Sequence, residues 1–257
     1  MKKMIVLDLD GTTLRNDKTV SDNTINTLLE CRGQGNTILF ATARPPRDAY
    51  KYVPVPLRDN PIICYNGACI ISSEKLNVLY KKEIPKEDVL KVLDIIEKHG
   101  YNNMCIEVND ALYSNFDTTD FFGNAKNCIV DLKEMEFEAA YKVIICSKKQ
   151  ITDDVIKEFP KSCKGIITDN GTLCQIINSE ASKWTCIESL SKKLDIAKEN
   201  IIAFGDDFND LDMIKNAGVG IAMGNAQQEI KNIADFVTDT NTNDGVAKYL
   251  DKNILRK

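Results

Sequence analysis

Ile5-Val6-Leu7-Asp8-Leu9-Asp10-Gly11-Thr12 is the stretch on which the reading of this chain turns. The apolar run 5–7 has the length of a short buried strand, and it stops abruptly in two carboxylates, a glycine and a threonine. Downstream, Ser21 or Asp22 caps a helix carrying Ile25, Leu28 and Leu29 on one face, and Gly33 and Gly35 end it. Ile38-Leu39-Phe40 forms a second strand that closes in Ala41-Thr42-Ala43-Arg44-Pro45. Strand, helix and strand at this spacing make a βαβ unit, which predicts a parallel sheet with polar residues at the carboxyl ends of its strands. A third buried strand, 61–64, runs into the turn Tyr65-Asn66-Gly67-Ala68, and 70–71 with 78–80 read as a hairpin.

The texture changes after about Glu83. Residues 86–98 form an amphipathic helix ended by Gly100, and 104–106 with 111–113 read as a second hairpin. Strands over 141–146, 165–168 and 173–177, with a helix near 153–159, complete an α+β block of antiparallel character. From residue 182 the α/β rhythm returns: helix 182–194, strand 201–204, helix 211–216, strand 219–222. The chain is therefore expected to carry an insert, 83–181, within a frame made of 1–82 and 182–257. The insert holds eleven basic and eighteen acidic residues, a net charge of −7, leaving the frame at +2.

At 257 residues, 43% hydrophobic and 28% charged, the composition is globular and long enough for a sizeable core. A net charge of −5 with no long Lys/Arg run excludes an electrostatic nucleic-acid binder. The nine cysteines are scattered without a CxxC pair, and most lie in apolar runs, which favours a reducing compartment over a disulfide framework or zinc ribbon. The apolar run after Met1-Lys2-Lys3-Met4 ends at Asp8, shorter than a signal peptide needs, and no stretch reaches transmembrane length. A cytoplasmic protein without a membrane partner is expected.

Two acidic clusters carry the chemistry. Asp8 and Asp10, at i and i+2 in the mouth of a buried strand, are costly unless something uses them. Strand alternation would point them apart, so a backbone turn permitted by Gly11 is expected to re-aim the second. The glycine position does not suit an EF-hand. Gly205-Asp206-Asp207-Phe208-Asn209-Asp210 repeats the arrangement after strand 201–204. A divalent cation between the clusters relieves their repulsion, and carboxylate oxygens without His or Cys select a hard ion such as Mg²⁺. Thr42, with the backbone N–H groups that follow it, can hold a phosphate oxygen, and Lys183 at the opening of a helix can supply a point charge. Alone, each of these reads equally as a helix cap or a solvated side chain.

In order and spacing, the D-x-D-G-T of 8–12, Thr42, Lys183 and the G-D-x-x-N-D of 205–210 resemble the haloacid dehalogenase superfamily of phosphotransferases, specifically its Cof-like hydrolases. The resemblance runs essentially end to end. It implies an α/β fold, a Rossmann-like parallel-sheet core with an inserted α+β cap domain. It also implies that Asp8 attacks phosphorus to form an aspartyl-phosphate and that Asp10 serves as general acid and then general base. Mg²⁺ would be held by the Asp8 carboxylate, the Asp10 carbonyl and Asp206. Thr42, the Ala43 N–H and Lys183 would grip phosphoryl oxygens, with Asn209 within reach of the phosphate. Asp210 would orient Lys183 or a metal-bound water. Arg44 would contact the leaving group or pair with an acidic loop, and Asp207 would cap a helix or support the site. The chain departs from the family at Trp184, where a glycine usually follows the lysine and lets backbones pack closely.

The remaining motifs carry less. His99, the one histidine, ends a helix where a cation suits the dipole, and its isolation argues against a Ser-His-Asp hydrolase. Gly218-x-Gly220-x-x-x-Gly224 misses the dinucleotide spacing by one residue. The leading expectation is a Mg²⁺-dependent phosphatase of a small phosphorylated metabolite, a sugar phosphate or phosphorylated cofactor, acting as a monomer or small homo-oligomer. A phosphomutase shares the aspartyl-phosphate. A DxD glycosyltransferase leaves Thr42, Lys183 and the second cluster without a role, and a non-catalytic phosphometabolite sensor does not need the full motif set.

Overall fold

In the computed structural model, which describes residues 2–72, 77–123 and 125–256, the N-terminal apolar run is strand β1 (Met4–Leu7), with all four side chains fully buried. Ser21 caps helix α1 (Asp22–Gly33), its hydroxyl oxygen accepting the Thr24 N–H at 3.1 Å. Then come β2 (Thr37–Ala41), α2 (Pro46–Tyr52), β3 (Ile62–Cys64), β4 (Cys69–Ile71) and β5 (Val78–Lys81). Pro46 at its start suits α2, because the N–H that proline lacks would have no partner within the helix there. Residues 73–76, which connect the hairpin expected around 70–80, lie outside the described residues, as does Met1.

Two units divide the chain. One is Met1–Tyr80 with Ser182–Lys257, and the other is Lys81–Ala181. The second begins with β6 (Ile84–Pro85) and α3 (Lys86–Lys98), followed by β7 (Met104–Val108), β8 (Ala111–Ser114), α4 (Thr119–Phe122), β9 (Asn127–Ile129), β10 (Ala139–Ala140), β11 (Lys142–Cys146), α5 (Asp153–Lys157), β12 (Cys163–Thr168) and β13 (Leu173–Asn178). Six of these strands form a sheet in the order β12-β13-β11-β7-β8-β9, antiparallel except for β8 with β9. Its core is Val89, Val92, Leu93 and Ile96 of α3 against Met104, Ile106, Val143, Ile145 and Ile176. Strand alternation turns Glu107, Lys142 and Gln175 to the other face. There Lys142 lies directly across from Glu107 and donates to Gln175 Oε1 at 3.0 Å, and Gln175 Nε2 donates to Thr168 Oγ1 at 3.2 Å. All four side chains are buried.

The first unit resumes with α6 (Lys183–Lys193), β14 (Ile201–Gly205), α7 (Leu211–Asn216), β15 (Val219–Ala222), α8 (Gln228–Ile233), β16 (Phe236–Val237) and α9 (Gly245–Leu250). Its eight-stranded sheet runs β16-β15-β14-β1-β2-β3-β4-β5, with every pair from β16 to β3 parallel and β4 antiparallel to β3. β1 lies between β14 and β2, so the first strand of the chain is an inner one. Eight of the nine cysteines are buried and all nine are free thiols, matching their apolar surroundings. Among the described residues no helix is long and apolar enough to cross a membrane.

Since β1 is fully enclosed, Ile5→Ala should lower the stability of the chain by about 2–5 kcal/mol, read from urea denaturation. A loss below about 1 kcal/mol would mean that this strand is not the buried centre of its sheet.

Candidate active site

Register places the site. Met4 aligns with Ile201 of β14 and with Thr37 of β2, so Leu7 stands beside Phe204 on one side and Phe40 on the other. Asp8, the Gly205-Asp206 step and the Ala41-Thr42 step therefore leave three neighbouring parallel strands at one level. The chain leaves β1 toward β2 and later returns on its far side at β14. This reversal of strand order is where open α/β sheets bind ligands, outside the carboxyl ends of the strands.

Lys183 is the first residue of α6, whose start is fixed by a capping box between Ser182 and Thr185. Its side chain is fully buried, and its Nζ donates to Asp8 Oδ1 and to Asp210 Oδ1, each at 2.6 Å. The other Asp210 oxygen accepts the backbone N–H groups of Asp206 at 2.9 Å and Asp207 at 3.3 Å. Asp210 thus ties the lysine to the loop after β14. The close packing expected of a glycine after the lysine is supplied from the opposite side. Gly67, at φ +94°, lies so near that a Cβ there would come within 2.0 Å of the Ser182 carbonyl oxygen. Trp184 stays partly exposed, with the Lys198 ammonium 5.6 Å from its ring centre.

Carboxylate oxygens of Asp8, Asp206 and Asp210 lie within 4.8 Å of one another. Asp206 Oδ1 accepts the Thr12 hydroxyl at 2.9 Å. A Cβ on Gly11, which has φ +72°, would fall 2.0 Å from Asp206 Oδ2, so this turn requires glycine. Three carboxylates around one ammonium leave an excess of negative charge in a buried space. An oxygen-only donor set of that kind fits a hard divalent cation.

The turn after Asp8 does not bring the Asp10 side chain into this group. Its carboxylate is held in a two-pronged pair by Arg44, with Nε 2.5 Å from Oδ2 and a terminal nitrogen 2.7 Å from Oδ1, and Lys18 Nζ adds 2.8 Å to Oδ1. Of the two roles expected for Arg44, the structure shows the pair with the acidic loop. The Arg44 guanidinium also lies 4.1 Å from the Tyr52 ring centre. Thr42 is buried beside it, and its Oγ1 accepts the Arg44 N–H at 3.1 Å, leaving the hydroxyl proton free to be donated elsewhere. Ala43 joins Thr42 to Arg44 in the same loop. Asn209 Nδ2 donates to Asn66 Oδ1 at 3.1 Å, and Asp207 caps the short helix 208–210 by accepting the Phe208 N–H at 2.8 Å.

Charge follows the geometry. Burial opposes the Lys183 ammonium, but the Asp210 and Asp8 carboxylates outweigh it and hold the lysine pKa above its ordinary value. The surplus carboxylates carry the strain. Burial, with Asp210 and Asp206 nearby, raises Asp8 well above the usual carboxylate range despite Lys183. Burial and Asp210 push Asp206 up to about 8, against the Thr12 hydrogen bond. Asp10 moves the other way: burial would raise it, but hydrogen bonds and charge from Arg44 and Lys18 bring it below the ordinary value.

Thr12, Lys18 and Asn66 have no role of their own in the sequence reading, although Thr12 and Asn66 stand in stretches it names. Thr12 lies inside the motif already singled out, and its hydroxyl two residues from Asp10 was the available signal. Lys18, at φ +65°, is placed by a turn closed by hydrogen bonds between Arg15 and Thr19 and between Lys18 and Arg15. Asn66, at φ +55°, sits in the turn after β3.

A parallel sheet with acidic loops on adjacent strand ends and a buried lysine between them defines an α/β phosphohydrolase. The chain belongs to the haloacid dehalogenase-like hydrolases, whose family profile matches residues 5–250. It is 33% identical across 259 residues, 96% of both chains, to the 5-amino-6-(5-phospho-D-ribitylamino)uracil phosphatase YitU of Bacillus subtilis (strain 168). It is 26% identical to the pyridoxal phosphate phosphatase YbhA of Escherichia coli (strain K12), over 98% of this chain and 99% of that one. Its fold matches BT1666 from Bacteroides thetaiotaomicron, described among the phosphatases of this superfamily, with a TM-score of 0.87 and 27% identity over 98% of this chain and 95% of that one. The reaction class is phosphoric monoester hydrolysis.

The raised Asp206 sets a sign for stability. Between about 4, its ordinary value, and about 8, the folded chain keeps a proton that the unfolded chain has lost. Stability in the presence of chelator should therefore fall as pH rises through this window, and Asp206→Asn should flatten the slope in thermal unfolding. A wild-type stability that rises steadily from pH 5 to pH 8 would contradict this electrostatic reading.

Proposed function

We propose that this chain hydrolyses a small phosphomonoester, a sugar phosphate or a phosphorylated cofactor, through an aspartyl-phosphate on Asp8 with Mg²⁺ as cofactor. The observation that carries the reading is the buried Asp8–Lys183–Asp210 arrangement at the reversal of strand order. Lys183 occupies one Asp8 oxygen and leaves the other to attack phosphorus. As the Asp8 O–P bond forms, the ester oxygen departs and takes a proton from the protonated form of Asp10, the form that the second step regenerates. Water then attacks the phosphorus of the acyl-phosphate, Asp10 accepts the water proton, and the Asp8 carboxylate is released. Lys183, the Thr42 hydroxyl and the Ala43 N–H are the donors for the non-bridging oxygens, and Asn209 would reach the phosphate.

Asp8 and Asp206, with the Asp10 carbonyl, would hold Mg²⁺. The ion neutralises charge on the transferring phosphoryl group when bound. The crowding of Asp8, Asp206 and Asp210 supports this assignment. Asp210 keeps both of its oxygens committed to Lys183 and the 206–207 backbone, which suits an orienting role.

We assign the inserted unit, taken from the sequence as 83–181, the role of substrate selection. Support comes from the buried polar strip Glu107, Lys142, Gln175 and Thr168, since so many polar groups on one sheet face are costly without a recognition or structural use. Names of the relatives favour organic phosphates of moderate size: one acts on a phosphoribitylamino-uracil and another on pyridoxal phosphate.

Screening a panel of phosphomonoesters for phosphate release tests the reading. Wild type should turn over at least one of them, with activity lost in EDTA and restored by Mg²⁺ but poorly by Ca²⁺. Asp8→Asn should fold and lose activity by a factor on the order of 10⁴ or more, because an amide cannot form the acyl-phosphate. Wild-type rates in that variant, or full rates in excess chelator, would overturn the mechanism. Gln175→Leu should change the ranking of substrates in the panel, and an unaltered ranking would remove the strip from substrate selection.

A further inference from the structure

Arg44 does not hold Asp10 by chance contact. Its guanidinium makes a bidentate pair with both carboxylate oxygens, a geometry that fixes the plane of the carboxyl group as well as its position. The Tyr52 ring centre lies 4.1 Å from the guanidinium, and the Arg44 backbone is held on both sides, its N–H donating to Thr42 Oγ1 and its carbonyl accepting the Tyr65 N–H at 3.1 Å. About four-fifths of the Arg44 side chain is shielded from solvent, against half for Lys18. The loop that presents Thr42 therefore also sets the orientation of Asp10.

We propose that Arg44 is a positioning residue for Asp10, holding the carboxyl group where it can serve the leaving-group oxygen, with Lys18 as a weaker second support. The inference rests on the phosphatase reading above and sharpens it. An acid–base group contributes only when it lies within hydrogen-bond reach of the atom it serves, so a carboxyl on a turn bordering Gly11 needs an external anchor. The alternative is that Arg44 grips the substrate directly. The two roles separate cleanly, because a positioning residue matters only while Asp10 matters.

The experiment is a double-mutant cycle on the full chain, with Arg44→Met, Asp10→Asn and the combined variant, each checked for folding by circular dichroism. Each protein is assayed on p-nitrophenyl phosphate, whose leaving group needs no proton, and on the best alkyl phosphate from the panel, whose leaving group does. Arg44→Met should lower kcat on the alkyl ester by something on the order of a hundredfold, with much less loss on p-nitrophenyl phosphate and little change in KM. In the Asp10→Asn background the same substitution should cost little more, because its effect passes through a group already disabled. Lys18→Met should show the same selectivity at a smaller size, and it keeps the test alive if Arg44→Met fails to fold. Equal losses on both esters, a rise in KM, or losses that multiply with Asp10→Asn would overturn the proposal and make Arg44 a substrate-gripping residue. A rate increase on the alkyl ester would overturn it too, by showing that the pair restrains Asp10. If wild type hydrolyses neither ester, the phosphatase reading fails, and this inference with it; if wild type is active, the cycle judges Arg44 alone.

Discussion

The ammonium of Lys183, buried between Asp8 and Asp210, is the interaction on which the site depends. A lysine with no solvent exposure is tolerable only because two carboxylates meet it at 2.6 Å. Removing one member of such a buried set costs about 3–5 kcal/mol, far more than a surface pair contributes. Its partners come from distant parts of the chain: Asp8 from the first strand, Lys183 from the start of α6, and Asp210 from the loop after β14. The contact therefore requires that α6 begin at the right place and that β1 and β14 pair in one register. The Ser182–Thr185 capping box fixes the first condition, and the Met4–Ile201 alignment fixes the second.

The same arrangement leaves the site unbalanced by design of its charges. One ammonium offsets only part of three neighbouring carboxylates, and burial keeps Asp8 and Asp206 above their usual range. Asp10 is separated from that surplus by its own cations, Arg44 and Lys18, which bring it to the opposite side of the ordinary value. Two carboxylates two residues apart are thereby given different electrostatic surroundings: the cations keep Asp10 ionised, the form in which a carboxylate accepts a proton, while a bound divalent cation would offset the surplus at Asp8. Thr42 and Arg44, two residues apart, are presented by a single loop in which the Arg44 N–H donates to Thr42 Oγ1 and the Arg44 guanidinium pairs with Asp10.

Much of this was legible in the sequence because the signals were local. The strand 5–7, the helix 86–98 and the helix 211–216 follow from apolar periodicity and bounding glycines, and they appear as Met4–Leu7, Lys86–Lys98 and Leu211–Asn216. The acidic clusters stood out because carboxylates at the ends of buried strands are costly. What was not legible is long-range. Nothing local says that Gly11 must be bare because Asp206 lies against it, or that Gly67 must make room for the Ser182 carbonyl. Lys18 reads as an ordinary solvated lysine until the turn that carries it is seen to aim it at Asp10. Short elements such as β16 and α8 lack enough residues to show a period, so their places in the sheet and its flank come from tertiary pairing alone.

The central claim is that Asp8 becomes covalently phosphorylated during turnover, and trapping that intermediate tests it most directly. Enzyme quenched during steady-state hydrolysis is treated with borohydride, which reduces an acyl-phosphate at an aspartate to the alcohol, and the modified position is then located by peptide mass mapping. The account predicts reduction at Asp8 alone, dependent on substrate. Reduction at another carboxylate, or none in an enzyme caught turning over rapidly under conditions where acyl-phosphates survive, would contradict it and point to direct attack by water.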